Sequence, residues 1–229
     1  MIDVTPFGRK LAALKEDLIA QGARVVDMTT RAVEAYFERD IAKASSVADL
    51  DSTVDKVDVQ IEKASIPLLA MGETDEHSIR SVFTIVKVNN ELERIAYCSV
   101  TIAEVVEDAA RMSEKIPPQF RVMANSIIGI LRDANQALAK VDAGLAERVL
   151  AFDDAVSRFK SEITMDVQKK VASGEFSPRF AFVLLTVAKA LERVADHCTN
   201  ICEELIYLES GGVVRHLREG WTKPVPPPV

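Results

Sequence analysis

The chain has 229 residues, 48% of them hydrophobic and 28% charged, and its formal net charge is −7. This composition supports a buried core and excludes a disordered chain. The acidic balance argues against nucleic-acid binding, which needs a basic face. No stretch reaches the roughly 20 apolar residues of a membrane-spanning helix, and the charges in residues 1–15 do not suit a signal peptide. We therefore expect a cytoplasmic protein that reaches a membrane only through its partners.

Glycine and proline are scarce and fall between long segments with helical periodicity. In these segments apolar residues recur at alternating steps of three and four, the pattern of a helix in a bundle. The clearest stripes are Leu50, Val54, Val57, Ile61; Ile85, Val88, Leu92, Ile95, Ile102; Leu145, Val149, Phe152, Val156, Phe159, Ile163; and Leu184, Val187, Leu191, Val194, Cys198, Leu205. The pattern breaks near Asp40, at 71–73, at 117–118, near Asp142 and at 174–178. We predict six long helices and no β structure, with Pro67 kinking or ending the second helix.

The two halves of the chain repeat each other. Asp40, Ala44, Val47, Asp51 and Ile61 return in the same order as Asp142, Ala146, Val149, Asp153 and Ile163. The sequence LERIA at 92–96 is matched by LERVA at 191–195. These matches predict an all-α fold of two tandem three-helix bundles related by a pseudo-twofold axis. We place the first repeat at 1–114, the second at 115–212 and an extended, proline-rich C-terminal tail at 213–229.

Carboxylates spaced by four residues share one face of a helix and are the main chemical candidates. Asp51 and Asp55, with Asp58 close by, form one such set, and Glu192 and Asp196 form another. Both sets lie off the apolar stripe. Hard oxygen ligands of this kind could hold iron, zinc, calcium or magnesium, and the spacing does not choose among these ions. A solvated acidic face is the simpler interpretation, and the spacing alone favours it.

Other polar residues suit structural roles better than catalysis. His197 follows Asp196 directly, and adjacent helical residues point about 100° apart, so this pair does not form a dyad. We expect His197 to be packed or hydrogen-bonded, with a ligand role left open. Arg94 and Arg193, which follow the matching glutamates, are expected to make ion pairs within or between the bundles.

The three cysteines (Cys98, Cys198 and Cys202) lie inside apolar helical patterns. They indicate buried free thiols in a reducing compartment. No phosphate-binding glycine loop or nucleophile–base pattern occurs in the sequence. We therefore predict a protein that is not an enzyme.

Residues 190–202, ALERVADHCTNIC, resemble the signature helix of the PhoU family. The run at 205–216 resembles the family's ending, and the segments 67–70, 78–80 and 92–95 follow the family's order in the first half. The resemblance covers nearly the whole chain. It implies a molecule of six helices in two bundles that forms a homodimer.

The resemblance also implies a function. PhoU proteins restrain phosphate uptake and the phosphate-starvation response, as adaptors between the ATPase subunit of the phosphate ABC transporter and a sensor histidine kinase. The alternative is a PhoU-like metal-binding bundle, with an iron or zinc site, that serves a different transporter or regulator.

Some PhoU proteins hold metal clusters through Glu/Asp-x-x-x-Asp motifs in each repeat. When the motif is placed on this sequence position by position, the resemblance implies six metal ligands: Asp51, Asp55, Glu93, Asp153, Glu192 and Asp196. The motif is incomplete at Tyr97 and at Ser157, where the family has aspartates. Because fewer anionic ligands bind a hard cation more weakly, we expect a single iron or zinc ion, or none, in place of a full cluster.

Overall fold

The computed structural model describes residues 5–72 and 75–214, except for the side chains of residues 153 and 154. Eight helices follow one another in these ranges: α1 (Pro6–Glu38), α2 (Ile41–Leu69), α3 (Glu76–Glu104), α4 (Val106–Ala110), α5 (Pro118–Lys140), α6 (Ala143–Leu150), α7 (Asp153–Ala172) and α8 (Pro178–Ser210). Six of them are long and two, α4 and α6, are short, and the described residues contain no strand. The predicted all-α class with six long helices is confirmed.

One predicted helix is divided in two. The apolar stripe predicted an unbroken helix through Phe152, but α6 ends at Leu150 and α7 begins at Asp153. The backbone tightens here, because the Phe152 N–H bonds to the Val149 carbonyl three residues back. The Phe152 side chain is 52% exposed, so its predicted place in the core is wrong.

Pro67 lies inside the last turn of α2, which ends two residues later at Leu69. This position confirms the expected end of the second helix. A proline that late removes one backbone hydrogen bond where the helix is already ending, so its cost is small.

The duplication is visible in the backbone. Helices α1 and α5 each end in a left-handed residue, Arg39 with φ 56° and Val141 with φ 51°. The next residue, Asp40 or Asp142, caps the following helix, and its Oδ1 accepts a hydrogen bond of 2.9 Å from a backbone N–H three residues on. An aspartate in this position satisfies one of the free N–H groups of the first helical turn.

Helices α1–α4 form one bundle and α5–α8 form the other, and α3 lies against α8 between them. The two helices run antiparallel, since Lys87 pairs with Glu204, whereas Glu91, one turn further along α3, pairs with His197 earlier on α8. The hydrophobic core is continuous between the repeats, and we call the contact between α3 and α8 the seam. Fully buried apolar residues of these two helices are Val88, Leu92, Ile95 and Ile102 on α3 and Leu184, Leu191, Val194, Cys198 and Cys202 on α8.

A charged pair is buried at the seam. The Glu204 side chain is 6% exposed, and its Oε2 atom lies 3.1 Å from Lys87 Nζ. The Lys87 ammonium also lies over the rings of Phe83 and Tyr207, 5.8 Å and 5.6 Å from their centroids. Removing one member of such a pair leaves a buried charge without a counter-charge, which is strongly destabilising.

The predicted boundary between residues 114 and 115 falls in the linker from α4 to α5, and most of the predicted tail, 213–229, lies outside the described residues. No helix within residues 5–72 and 75–214 has the length and apolar character needed to cross a membrane.

Two glycines offer a test of how closely the repeats pack. Gly22 on α1 is buried, and a Cβ there would lie 1.9 Å from Oδ1 of Asn135 on α5, whereas a Cβ at Gly129 would meet nothing within 4 Å. We expect Gly22→Ala to change the free energy of unfolding less favourably than its control, because the Asn135 amide must turn away from the added methyl group and this cost offsets the helix preference of alanine. The matched control Gly129→Ala should raise it by about 0.5–1 kcal/mol, because alanine favours a helix interior over glycine. Urea unfolding of both variants measures the difference, and equal effects would contradict the close contact.

Candidate functional site

The first-repeat carboxylates form one acidic face across α2 and α3. Burial raises the pKa of Glu93 on α3, and the charge of Asp58 on α2 raises it further; Arg94 opposes the shift, and Asp55 and Asp51 add smaller increases. Burial, followed by the charge of Asp55, likewise raises the pKa of Asp51. The four carboxylates are therefore close enough to repel one another.

Asp58 ties this face to the neighbouring helix. The Asn89 side-chain amide on α3 donates to Asp58 Oδ1 at 2.6 Å and to the Asp58 carbonyl at 3.1 Å. Burial, then the charges of Glu62 and Asp55, raises the pKa of Asp58. Asn89 is itself buried and holds Asp58 beside the rest of the set.

The second-repeat face differs, because lysines already neutralise its glutamate. Glu192 Oε1 lies 3.1 Å from Lys160 Nζ on α7, and its Oε2 lies 2.5 Å from Lys189 Nζ. Burial alone would raise the pKa of Glu192, but the hydrogen bonds from Lys189 and Lys160 outweigh it and lower the pKa. Asp196 is exposed on the same helix, and the side chain of Asp153 lies outside the described part. Both carboxylate oxygens of Glu192 are therefore already engaged in ion pairs.

A metal site requires these carboxylates to converge on a point where a cation could sit. Among the described side chains, no three of the His, Cys, Asp and Glu residues are arranged to hold a metal ion. At the two positions where the motif is incomplete, Tyr97 is 58% exposed and Ser157 is exposed. The first-repeat face has suitable donor chemistry for a hard cation, but its side chains would have to turn toward one another. Metal ligation by the six residues stays a prediction.

His197 is hydrogen-bonded, as expected, and its partner comes from the other repeat. Its Nδ1 atom lies 2.7 Å from Glu91 Oε2, which also accepts a bond of 2.9 Å from the Asn200 amide. Burial opposes ionisation of Glu91, but the bonds from His197 and Asn200 lower its pKa overall. This cluster joins α3 to α8. Sequence reasoning missed Glu91, because no local spacing links it to a histidine 106 positions later.

Among the side chains that the structure describes, neither Arg94 nor Arg193 forms the expected ion pair with a carboxylate. Their charges still act on neighbouring groups, since Arg94 favours ionisation of Glu91 and Arg193 favours that of Cys98. Charged contacts between the repeats are made instead by Lys87 with Glu204, by His197 with Glu91 and by Arg179 with Asp108.

The three cysteines are free and buried, as predicted. Burial raises the pKa of Cys98 and Cys198, and it raises the pKa of Cys202 to about 12. Thiols in this state are protonated at neutral pH and are poor nucleophiles.

Several open grooves mark the surface of the described residues, and two of them have features of a binding surface. A groove of about 330 Å³ runs between α3 and α8, and Phe182, 71% exposed, stands on its wall beside Leu185 and Thr101. The lining combines this exposed aromatic ring with the cations Lys189 and Arg193, and exposed aromatic rings are common on surfaces that bind another protein. We call it the Phe182 groove.

The second groove, about 570 Å³, lies where the end of α1 meets the start of α5. Arg39, Lys115 and Arg121 line it, and its nine lining residues include no carboxylate. The Arg121 guanidinium stacks on Phe37, 4.3 Å from the ring centroid. This surface, the basic groove, is unusual in a chain with a net charge of −7 and favours an anionic partner.

Comparisons with known proteins agree with this architecture. The chain is 29% identical over 222 residues to phosphate-specific transport system accessory protein PhoU homolog 1 of Thermotoga maritima, covering 96% of each chain. It is 24% identical over 212 residues to phosphate-specific transport system accessory protein PhoU of Escherichia coli K12, covering 92% of this chain and 88% of the relative.

Solved structures show the same fold. The phosphate transport system regulatory protein PhoU of Streptococcus pneumoniae superposes with a TM-score of 0.84 at 24% identity, over 91% of this chain and 99% of the other. PhoU of Pseudomonas aeruginosa superposes with a TM-score of 0.86, over 90% of this chain and all of the other. Residues 19–106 and 120–205 each match the PhoU domain. The tandem bundles and both matched repeats identify this chain as a member of the PhoU family.

Proposed function

We propose that this protein is a cytoplasmic, non-enzymatic negative regulator of phosphate uptake and phosphate-starvation signalling. In this role it is an adaptor between the ATPase subunit of a phosphate ABC transporter and a sensor histidine kinase. The observation that carries the proposal is likeness over nearly the whole chain to accessory proteins of the phosphate-specific transport system. The buried, protonated thiols and the hydrogen-bonded His197 support a role without catalysis.

An adaptor needs two surfaces that can be occupied together. The Phe182 groove lies on α3 and α8, whereas the basic groove is built from the end of α1, the linker and α5. They share no lining residue. The exposed ring of Phe182 sets the first apart, although Lys189 and Arg193 also line it, whereas three cations and no carboxylate line the second. We propose that each groove binds one of the two partners. Homodimerisation is part of the same proposal and is measured by sedimentation of the purified chain.

Variants of the two grooves test this division. Phe182→Ala should reduce recovery of one partner about tenfold, since a central aromatic contact supplies much of the affinity of an interface. Arg121→Glu should reduce recovery of the other partner by a similar factor, because it reverses charge in the basic groove. The measurement is quantitative mass spectrometry of proteins co-purified from the native membranes, from cells grown with and without phosphate.

Matched controls keep the test specific. Phe152→Ala removes a ring that is 52% exposed but lies outside both grooves, and Arg132→Glu reverses an exposed charge elsewhere on α5. Both should leave recovery unchanged. Recovery of neither the transporter ATPase nor a sensor kinase with the unmodified chain would overturn the proposal. Recovery of a different transporter would favour the alternative role.

We also propose that any metal ion binds the first-repeat face and not the second. The mutual repulsion of Glu93 and the α2 aspartates supports this assignment, since a cation would relieve it. Glu192 is a poor ligand by comparison, because two lysines compete for its oxygens. Iron and zinc are the ions proposed.

Titration calorimetry with Zn²⁺ and with Fe²⁺ tests this assignment. Glu93→Gln should weaken binding about tenfold or more, and Glu192→Gln should leave it unchanged. Binding should also weaken on acidification, beginning above the ordinary titration range of carboxylates, because the raised pKa values of Asp51, Asp58 and Glu93 make these groups bind protons earlier. Loss of binding in the Glu192 variant alone, or no binding by the unmodified chain, would contradict the proposal.

A further inference from the structure

The duplication makes the two halves of the seam equivalent. Helices α3 and α8 hold the same place in the two repeats, and the matching sequences LERIA and LERVA align them residue by residue. Because the helices run antiparallel, each contact from α3 to α8 has a counterpart, made by the equivalent residues in the other half of the seam. Three such equivalent pairs are Glu91 and Ala190, His197 and Cys98, and Asn200 and Thr101.

The two halves are filled differently. In one half the Glu91 carboxylate is hydrogen-bonded to two side chains of α8, and the charge of Arg94 favours its ionisation. In the other half Ala190 stands at the position equivalent to Glu91, and it lines the Phe182 groove together with the counterparts of the two bonded side chains. The groove therefore occupies the place that a carboxylate and its hydrogen-bond partners fill in the first half.

One cation of this groove lacks a counter-charge. Arg193 is the counterpart of Arg94 and is half-buried, and it forms no ion pair with a carboxylate that the structure describes. Its charge favours ionisation of the buried Cys98 thiol, and both residues line the groove. The other cation, Lys189, is already paired with Glu192.

The groove itself supplies no negative charge. None of the eight described residues that line it is a carboxylate. The charges of Asp196 and Glu93 reach the Cys98 thiol, but neither of these residues lines the groove. A half-buried cation attracts a carboxylate more strongly than a fully exposed one, because less water screens it. The lining therefore favours an occupant that brings its own carboxylate to Arg193.

The spacing of the exposed ring and the cation sets the length of the occupant. Phe182 and Arg193 are eleven residues apart on α8, so they share one face and lie roughly 16 Å apart along the helix axis. A partner helix that lies along the groove between α3 and α8 can contact both residues. Its contacting face would carry an apolar residue over Phe182 and an acidic residue about three turns away.

We propose that the Phe182 groove binds a helix of a partner protein whose acidic side chain pairs with Arg193. The aspartate or glutamate of the partner takes the place that Glu91 holds in the other half of the seam, and an apolar side chain of the same helix packs on the Phe182 ring. This inference rests on the proposed function, since the partner is one of the two proteins that the adaptor joins. It adds the chemistry by which that partner is recognised.

Photo-crosslinking identifies the occupant. Phe182→p-benzoylphenylalanine keeps an aromatic ring in the groove, and irradiation of cells links this ring to the molecule that contacts it. The cross-linked peptide should come from the transporter ATPase or the sensor kinase, with an aspartate or glutamate about three helical turns from the linked residue. The same replacement at the exposed Phe152, which lies outside the groove, should not give this product.

Three variants test the charge. Arg193→Gln should reduce recovery of the partner about tenfold or more, because the partner's carboxylate is left without a counter-charge. Ala190→Glu should act in the same direction, since it places an internal carboxylate beside Arg193 at the position equivalent to Glu91. Arg94→Gln, the matched change in the other half of the seam, should leave recovery unchanged. Thermal unfolding of each variant shows that the fold survives.

A charge exchange gives the most specific result. Arg193→Glu and the reverse change of the partner's acidic residue to arginine should each abolish recovery, and the two together should restore it. Unchanged recovery with Arg193→Gln, a cross-linked peptide without a carboxylate, a second copy of this chain as the product, or no cross-link at all would overturn the inference.

The proposed function fails on a different result. If the cross-linked acidic helix belonged to a protein other than the transporter ATPase or a sensor kinase, the adaptor role would be wrong and the chemistry of the groove would stand. If the ATPase or the kinase were recovered equally well with and without the Arg193 charge, the adaptor role would stand and the inference would be wrong.

Discussion

The antiparallel packing of α3 against α8 is the contact on which the rest of this structure depends. Each helix belongs to one repeat, and both carry fully buried apolar residues within a core that is continuous between the repeats. Along this seam the repeats also share the Lys87–Glu204 ion pair and the His197–Glu91 hydrogen bond. Buried polar contacts of this kind favour one register over sliding alternatives, because a shifted helix would leave a charge without its partner.

The duplicated scaffold carries two unlike acidic faces. In the first repeat the carboxylates repel one another and Asn89 bonds to Asp58, whereas in the second Lys160 and Lys189 neutralise Glu192. Equivalent positions in the two repeats therefore have different electrostatic roles. The two grooves also differ, since one presents the exposed ring of Phe182 and the other the cations Arg39, Lys115 and Arg121. This asymmetry suits a molecule that contacts two different proteins.

Much of the fold follows from local patterns. Alternating steps of three and four locate the helices, and the LERIA and LERVA runs reveal the duplication, because both signals depend only on residues near in sequence. The sequence did not predict that Phe152 is exposed. The spacing of apolar residues cannot show that the backbone forms a tighter turn at this point. The lysines on Glu192 and the partner of His197 were also missed. Lys160 and Glu91 lie on other helices, and only the packing of those helices brings the charges together.

The central claim is that the seam makes the two repeats unfold as one cooperative unit, so that the two grooves keep a fixed position relative to each other. Native-state amide hydrogen exchange measures this most directly. The account predicts that the slowest-exchanging amides of α3 and α8 share one free energy of opening, equal to that of global unfolding. If the core amides of α5 and α8 instead exchanged at a much lower free energy than those of α1 and α3, the repeats would be opening independently, and the claim would be wrong.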